Sequence, residues 1–391
     1  MPAEVSLLTP HGRGAVATIG VRGAGACEVA ARCFTPASGR SLESLPWGAV
    51  AFGRLALGEA ATEEAVVGVL GPQEVELHCH GGVAVAEAVC KTLALAGAVR
   101  IAWQDWLSQS LPDPISAAAL LALPLARTER TAAILLDQHR EALRGEWAAI
   151  DDLLGTGQTQ LAIGRIGALL ARSDVGLHLT QPWRVVLAGR PNAGKSSLLN
   201  ALLGYQRAIV FEQPGTTRDV VTATTAIDGW PIELADTAGL RAGGDAIESA
   251  GVARAGEAIA AADLVLLVAE TTGPWDAGLY EPIAAAHRVL LVHNKCDLAA
   301  APADGRPDGV VTSAKNGAGL SALGAAVASA LVPDPPLDGA AIPFTLDQIA
   351  ALQAAQAHIA NNHIAAARAA LTTDLAGARP PGPGLVPAKG N

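Results

Sequence analysis

The sequence predicts a multi-domain chain in which an α/β domain with a doubly wound sheet is inserted into an all-α helical domain, behind a small α+β N-terminal domain. Short β-like runs between glycine-rich turns indicate the α+β domain at residues 1–105. Apolar residues at helical spacing indicate the helical domain at 106–182 and 340–377. Alternating strands and helices indicate the α/β domain at 183–332, and residues 378–391, rich in Pro and Gly, are expected to form a disordered tail.

The composition is typical of a globular protein. The chain has 391 residues, of which 50% are hydrophobic and 16% charged, so it is long enough for two or three domains with real cores. The sequence has no uninterrupted apolar run of about 18 residues, so no membrane span is predicted. Glu4, His11 and Arg13 interrupt the apolar core that a signal peptide would need. The net charge of −10 argues against a generally basic nucleic-acid binder. Scattered cysteines without C-x-x-C pairs favour a reducing cytoplasm.

The α+β domain is predicted from β-like runs at 15–19, 66–70 and 75–77 and from helices near 24–33 and 84–96. Its chemistry-bearing stretch is residues 74–82. Alternation there places one apolar and one polar set of side chains on opposite faces: Val75, Leu77 and Cys79 against Glu76, His78 and His80. The polar face suits the edge of a ligand site. A partly exposed strand end is favoured over a metal site, because the sequence holds no further Cys/His cluster.

Two or three helices are predicted in the first helical segment, where apolar residues recur at helical spacing over 127–149 and 158–172. Their charges are mixed in sign, which indicates solvated faces and not an RNA-binding patch. A second segment begins with a capping box from Thr345 to Gln348 and is predicted to run as one helix to about residue 375. Its apolar side chains would pack against the first helical segment, and this requires the α/β domain to be an insertion.

A glycine loop at residues 189–196 follows the apolar run 185–188 and precedes a helix. It fits G-x-x-x-x-G-K-[ST], in which backbone N–H groups and the helix N-terminus face phosphates, Lys195 neutralises their charge and the Ser196 hydroxyl binds Mg²⁺. A chance glycine turn is the alternative. The residues expected to cradle the phosphates are Asn192, Ala193, Gly194, Lys195, Ser196 and Ser197.

Strand runs around this loop are spaced as in a doubly wound sheet and lie at 184–188, 220–227, 232–235, 264–268, 289–293 and 310–312. Two further motifs fall between them. Gly215, Thr216 and Thr217 form a loop whose Thr217 hydroxyl can complete Mg²⁺ coordination. Asp236 ends an apolar strand and can reach Mg²⁺ through water, and in the following motif Thr237-Ala238-Gly239 the Gly239 N–H can meet a γ-phosphate.

Base recognition is predicted after the fifth strand. Asn294 and Lys295 precede Asp297, whose carboxylate can accept the N1 and N2 hydrogens of guanine; adenine lacks that donor pair. Ser313, Ala314 and Lys315 follow the last strand and can close over the base. Five motifs in this order predict a P-loop G domain that binds GTP, and a structural relic without nucleotide is the alternative.

The hydrolytic residues are less clear from the pattern. Leu240 stands where a glutamine would orient the attacking water in Ras-like switches. Glu248 is an acidic candidate for this role, although on pattern alone a solvated surface carboxylate is favoured. The candidate catalytic set is Lys195, Thr217, Asp236, Gly239 and Glu248.

The motifs at residues 10–14, 74–82, 189–200, 215–219 and 236–241 together resemble those of the MnmE (TrmE) family of tRNA-modification GTPases. The resemblance implies a homodimer through the N-terminal domain, which would bind a tetrahydrofolate derivative, with Arg13 and Glu76 as candidate contacts. It also implies K⁺-dependent pairing of G domains, with Asn192 as K⁺ ligand and Glu248 orienting water. The implied partners are the FAD protein MnmG and tRNA, whose wobble uridine is modified.

Two departures from the family pattern leave alternatives open. Family members end in Cys-x-Gly-Lys, whereas no cysteine follows Cys296 here, and residues 103–107 replace a stretch that carries Arg, Phe and Lys in the family. One hypothesis is a GTPase of tRNA wobble-uridine modification. The other is a divergent paralogue that acts as a nucleotide switch or interaction protein. A ribosome-assembly GTPase related to Der or Era is disfavoured, because residues 1–105 match neither.

Overall fold

The computed structural model describes residues 2–10, 12, 14–58, 61–111, 113–205, 222–236, 255–272, 275–286, 288–298 and 306–373. The chain forms two compact units, Met1–Pro112 and Asp113–Asn391. No helix in the described ranges is both long and apolar enough to cross a membrane. All five cysteines are free thiols.

The first unit is built on a seven-stranded sheet with the order β3-β4-β5-β6-β2-β1-β7. Neighbouring strands are antiparallel except β7, which is parallel to β1. The strands are β1 Glu4–Leu7, β2 Val16–Arg22, β3 Phe34–Pro36, β4 Val50–Ala56, β5 Thr62–Gly71, β6 Glu74–His80 and β7 Val99–Arg100. The helices are α1 Ala26–Cys33, α2 Val83–Leu95 and α3 Trp103–Ser110.

The predicted alternation along β6 is confirmed. Val75, Leu77 and Cys79 are buried in the core of the unit, which also takes apolar side chains from α1 and α2. The opposite face of β6 carries Glu76 and His78, which are partly exposed. One face of this sheet is therefore covered by α1 and α2, and the opposite face is partly exposed at Glu76 and His78.

Arg22 holds α3 in the first unit. Its guanidinium donates to the Trp106 carbonyl oxygen at 2.9 Å and to Gln109 Oε1 at 2.7 Å, and it lies 4.2 Å from the centroid of the Trp106 ring. Gly20 permits this contact, because a Cβ there would lie 2.7 Å from the ring. The segment 103–107 thus begins a helix whose aromatic ring packs on the sheet.

In the described ranges, the second unit contains seven α-helices that do not alternate with the strands of its sheet. They are α4 Pro114–Ala122, α5 Glu129–Arg140, α6 Ala142–Gly155, α7 Thr159–Leu170, α8 Ser173–Leu177, α12 Leu346–Ala360 and α13 Ile364–Thr373. Side-chain caps define the N-termini of three of these helices. Asp113 accepts from Ser116 N at the start of α4, and Thr128 and Thr345 each form a capping box at the starts of α5 and α12. Helix α12 packs on α7, and α13 packs on α6, so the two helical segments contact each other.

Two helix predictions were wrong in detail. The first segment holds five helices from α4 to α8 where two or three were predicted. The predicted run 127–149 is divided at Glu141, where φ is 132°, and α4 and α8 lie outside the two predicted runs. The single C-terminal helix is two helices. Asn362 adopts the left-handed conformation with φ 58°, its N–H donates to Ile359 O, and His363 N donates to His358 O. These two bonds form a Schellman motif, which satisfies the last carbonyls of α12 and ends it.

The sheet of the second unit has the order β13-β12-β11-β8-β10-β9, and all neighbours are parallel except β9 and β10. Each of the six predicted runs overlaps a strand: β8 Trp183–Ala188, β9 Thr222–Ile227, β10 Trp230–Asp236, β11 Leu264–Glu270, β12 Val289–Asn294 and β13 Val310–Val311. The helices beside these strands include α9 Lys195–Tyr205, α10 Ala277–Ala286 and α11 Leu320–Leu331, and residues 255–260 are also helical.

Helices and sheet in the second unit share one hydrophobic core, which runs from Leu135 and Ile150 to Val185 and Leu266. Polar contacts join the same parts. His178 Nε2 lies 3.2 Å from Asp263 Oδ2, which also accepts from Arg184 N at 2.8 Å. The side chains of Arg130 and Asp228 form an ion pair at 3.1 Å between α5 and the turn that joins β9 to β10.

Gly176 and Gly164 offer a matched test of this packing. A Cβ on Gly176 would lie 1.9 Å from the Pro343 carbonyl oxygen, whereas a Cβ on Gly164, inside α7, meets nothing within 4 Å. We expect Gly176→Ala to destabilise the second unit by about 1–3 kcal/mol, because the segment that leads into α12 must move. Gly164→Ala should stabilise it by about 0.5–1 kcal/mol through helix propensity. Urea unfolding of both variants measures this, and equal effects would contradict the close contact.

Candidate functional site

The glycine loop lies at the carboxyl end of β8, in the middle of the sheet. Strand β8 has β11 on one side and β10 on the other, and chain connections diverge in opposite directions from this point. In open α/β sheets the crevice at such a switch point is where ligands bind. The loop leads directly into α9, which begins at Lys195, so the N-terminus of α9 faces this crevice.

Two glycines in the loop are required by close backbone approach. Gly189 has φ 145°, and a Cβ there would lie 2.2 Å from the Val268 carbonyl oxygen. Gly194 has φ 89°, and a Cβ there would lie 2.4 Å from Asn294 Nδ2. Between them Asn192 adopts φ 64°, a left-handed conformation that asparagine tolerates better than most residues. The loop is therefore pressed against the ends of β11 and β12.

Lys195 is 5% exposed. Its Nζ donates to the carbonyl oxygens of Gly189 at 3.0 Å and Arg190 at 2.8 Å, so the ammonium is held beneath the loop. The Ser196 hydroxyl donates to Asp236 Oδ2, and Asp236, the last residue of β10, is buried. A hydroxyl and a carboxylate thus meet beside the helix N-terminus. Such hard oxygen donors suit Mg²⁺.

Asn294 connects three of the predicted motifs. Its Nδ2 donates to Ala193 O at 3.0 Å in the glycine loop, and its Oδ1 accepts from Ala314 N at 3.2 Å in the last motif. The Asn294 carbonyl oxygen accepts from Thr271 N at 2.8 Å and Thr271 Oγ1 at 2.6 Å. The residue is 1% exposed. One buried side chain therefore fixes the phosphate loop relative to the base-recognition segments.

Asp297 is oriented by the last motif, a contact that the sequence did not predict. The Ser313 hydroxyl donates to Asp297 Oδ1 at 2.6 Å, and Lys315 Nζ lies 4.0 Å from Asp297 Oδ2. The Ser313 hydrogen bond, followed by the smaller effects of the backbone and of Lys315 and Lys295, holds the pKa of Asp297 below its ordinary value. The ionised carboxylate is the form that accepts hydrogen bonds from guanine N1 and N2.

Sequence reasoning missed three residues around Lys295. Glu270 Oε2 lies 3.3 Å from Lys295 Nζ, Arg306 Nη1 donates to the Glu270 carbonyl oxygen at 2.6 Å, and Thr271 holds the Asn294 backbone. Each lies outside the nucleotide motifs, and the only available signal was that Glu270 and Thr271 follow a buried strand, where parallel sheets place site residues.

Several predicted site residues lie outside the described residues. They are Arg13, Gly215, Thr216, Thr217, Thr237, Ala238, Gly239 and Glu248. Ser197 is described, in the first turn of α9, and its side chain is exposed. In the first unit, Glu76 Oε2 lies 3.5 Å from His78 Nε2. The described residues include no group of three or more His, Cys, Asp or Glu side chains that could hold a metal ion.

Comparison with known proteins identifies relatives over most of the chain. A family model described as 50S ribosome-binding GTPase matches residues 184–295. The chain is 35% identical over 370 residues to the tRNA modification GTPase MnmE of Synechococcus sp. strain WH7803, covering 83% of this chain and 80% of that protein. It is 32% identical over 388 residues to MnmE of Nitratidesulfovibrio vulgaris strain DP4, covering 84% and 80%.

Among solved structures, the G domain of the T. maritima FeoB iron transporter aligns with 30% identity over 38% of this chain and 99% of that chain, at a TM-score of 0.30. The sheet order and the motif geometry described above are the structural basis for a P-loop domain.

The pH dependence of nucleotide binding tests the effect of Ser313 on the pKa of Asp297. The carboxylate of Asp297 is present above its pKa and is lost as pH falls through it. Because the Ser313 hydroxyl lowers this pKa, Ser313→Ala should raise it and move the acid limb of guanine nucleotide binding to higher pH. Fluorescence titration with a labelled GDP from about pH 4 to 7 measures the limb. Ser321→Ala, which alters an exposed serine of α11, should leave the limb in place, and an unshifted limb in Ser313→Ala would contradict this role.

Proposed function

The chain belongs to the MnmE family of tRNA modification GTPases, and from this premise we propose that it uses GTP hydrolysis in the modification of tRNA wobble uridine. It is a P-loop GTPase that binds and hydrolyses GTP. The similarity to tRNA modification GTPases supports the tRNA role, and the buried amide of Asn294, which joins the phosphate loop to the segment predicted to close over the base, supports the nucleotide site. The alternative of a switch without modification activity gains no support from the comparisons.

The chain's own residues account for nucleotide binding and charge stabilisation. Lys195 lies where its ammonium can exchange carbonyl partners for phosphate oxygens. Asp297 accepts from the guanine edge, and the Ala314 N–H, which donates to Asn294 Oδ1, would exchange this partner to meet the base. We propose Mg²⁺ as a cofactor held by Ser196 and Thr217, with Asp236 behind it; the observed Ser196–Asp236 contact fits this donor set. Bound there, Mg²⁺ would neutralise charge on the β- and γ-phosphates.

K⁺ is a second proposed cation, with Asn192 as its ligand. Asn192 is exposed in the phosphate loop with a left-handed backbone, and a side-chain carbonyl oxygen there is a suitable donor for a large monovalent cation. Within the family premise, K⁺ binding accompanies pairing of two G domains, and Glu248 orients the attacking water. Gly239 would meet the γ-phosphate. Both roles remain proposals for residues outside the described ranges.

A homodimer through the first unit is supported by its open sheet face. Val50 and Phe52 on β4 are 70% and 55% exposed, and Leu70 on β5 is 50% exposed. Phe52 pairs with Val66, and the adjacent Trp47 is 70% exposed. An apolar group of this kind on one sheet face is typical of a protein interaction surface. We propose that a second copy of the chain covers it.

A tetrahydrofolate derivative is proposed as a ligand of the first unit, through Arg13 and Glu76. The support is the position of Glu76 on the open face of β6. The small cavity lined by Pro10, Gly12, Gly14 and the start of α2 has a volume of about 20 Å³ and does not include Glu76, so it cannot enclose a pterin without opening. An MnmG-type FAD protein and tRNA are the proposed partners. The free cysteines support a reducing, cytoplasmic setting.

The domain arrangement is also a proposal. We infer that the α/β part is an insertion between two segments of one helical domain. The contacts of α12 with α7 and of α13 with α6, together with the hydrogen bond from Trp147 Nε1 to Leu371 O at 2.8 Å, support this inference.

Replacement of Asp297 tests guanine recognition directly. Asp297→Asn should weaken GTP binding roughly a hundredfold or more, because an amide cannot accept from both guanine donors, and should favour xanthosine triphosphate. Nucleotide affinity and hydrolysis of both triphosphates measure the change. Asp334→Asn, at an exposed position outside the site, is the control and should behave as the unaltered protein.

The same variants connect hydrolysis to tRNA. In a strain deleted for the gene, mass spectrometry of tRNA nucleosides should show loss of the wobble-uridine modification. The unaltered chain and Asp334→Asn should restore it, whereas Asp297→Asn should not. Unchanged nucleosides in the deletion strain would refute the role in tRNA modification while leaving the GTPase assignment intact.

Cation dependence tests Asn192. We expect hydrolysis to be roughly tenfold or more faster in K⁺ than in Na⁺, because a correctly coordinated cation stabilises charge that develops at the phosphates. Asn192→Ala should remove the difference without abolishing GDP binding. Asn200→Ala, at an exposed position on α9, should retain it, and equal rates in both salts for the unaltered protein would refute the K⁺ proposal.

A further inference from the structure

Glu270 lies beside the base-recognition segment without belonging to a nucleotide motif. It ends β11, and the sheet register places it opposite Asn294, the residue before Lys295. Its Oε2 lies 3.3 Å from Lys295 Nζ, and its Oε1 accepts from Thr272 Oγ1 at 3.2 Å. Both carboxylate oxygens are therefore engaged, one of them by the lysine ammonium.

The backbone of Glu270 is fixed as well. Arg306 Nη1 donates to the Glu270 carbonyl oxygen at 2.6 Å, and β12 pairs with the strand up to this residue. The side chains of Glu270 and Lys295 are 33% and 30% exposed, so the ion pair is partly shielded from water. An ion pair with one anchored partner loses less side-chain entropy than a pair of free surface charges.

The stem of Lys295 crosses the site. The residue has φ 67°, and its Cε lies 3.8 Å from the position that a Cβ on Gly194 would occupy. Asp297, which reads the guanine edge, follows two residues later. The methylene groups of Lys295 thus extend from the base-reading segment to the phosphate loop. A nucleotide with its phosphates on the loop and its guanine edge at Asp297 must place its purine ring between these two points, along the lysine stem.

We propose that Glu270 is a positioning residue for guanine nucleotide binding, which holds the Lys295 ammonium so that the lysine stem forms one wall of the purine slot before the nucleotide arrives. The proposal rests on the GTPase function. Without Glu270 the lysine side chain samples several rotamers, and binding must order it. With Glu270 this ordering precedes binding, and the carboxylate neutralises the cation beside the base.

Glu233 provides a matched control for the test. It lies on β10 of the same sheet, its side chain is also 33% exposed, and it faces Arg184 at 3.8 Å. Glu270→Gln should raise the Kd for GDP about three- to tenfold, the effect of ordering one flexible side chain on binding. Because the lysine stem contacts the ring and not the exocyclic groups, inosine diphosphate should weaken by the same factor. Saturating kcat should stay unchanged, and Glu233→Gln should alter none of these values.

A double-mutant cycle shows whether the effect passes through Lys295. Lys295→Met keeps an apolar stem but removes the ammonium, so adding Glu270→Gln in that background should produce little further loss of GDP affinity. An undiminished loss in the Lys295→Met background, or a loss for GDP that inosine diphosphate does not share, would refute positioning through the lysine. So would Glu270→Gln with unaltered affinity. If the unaltered protein binds no guanine nucleotide, the proposed function itself fails.

Discussion

The side-chain amide of Asn294 is the contact on which the geometry of the site depends. It is buried at the end of β12, donates to the phosphate loop and accepts from the segment that closes over the base. Each such hydrogen bond contributes about 1 kcal/mol net, but loss of the amide would leave buried backbone groups unpaired at a cost of about 1–3 kcal/mol each. The phosphate and base subsites are therefore held at one fixed spacing. A nucleotide can occupy both subsites at once, whereas phosphate alone or base alone can occupy only one.

The sheet makes this contact possible. Parallel strands β8, β11 and β12 end at one edge, so segments far apart in sequence meet there: the loop after β8, Glu270 at the end of β11 and Asn294 at the end of β12. The glycines at 189 and 194 let the loop backbone approach its neighbours to distances that any Cβ would prevent. The close contacts account for the need for glycine at both positions, beyond the turn conformation alone.

Local patterns predicted what depends on local sequence. The six strand runs, the phosphate loop and the two base-recognition motifs were predicted because each is short and its chemistry is visible in its own residues, whereas the hydrogen bond from Ser313 to Asp297 between those motifs was not. Glu270 was not predicted, because its role follows from a register between two strands that no single segment encodes. The end of α12 at Ala360 was missed because alanine-rich helical spacing continues past it, while the left-handed Asn362 overrides that spacing. The break at Glu141 had no glycine to mark it.

The core shared by helices and sheet in the second unit has a consequence for how that unit folds. Side chains from α5, α6 and α7 pack in the same continuous cluster as β8, β10 and β11, and Trp183 and Trp230 are fully buried within it. Neither part can lose its structure without exposing apolar surface of the other, and this penalty grows with the area uncovered. In the described part of the second unit, a substitution that weakens α5, α6 or α7 is therefore expected to lower the stability of the sheet that carries the nucleotide site.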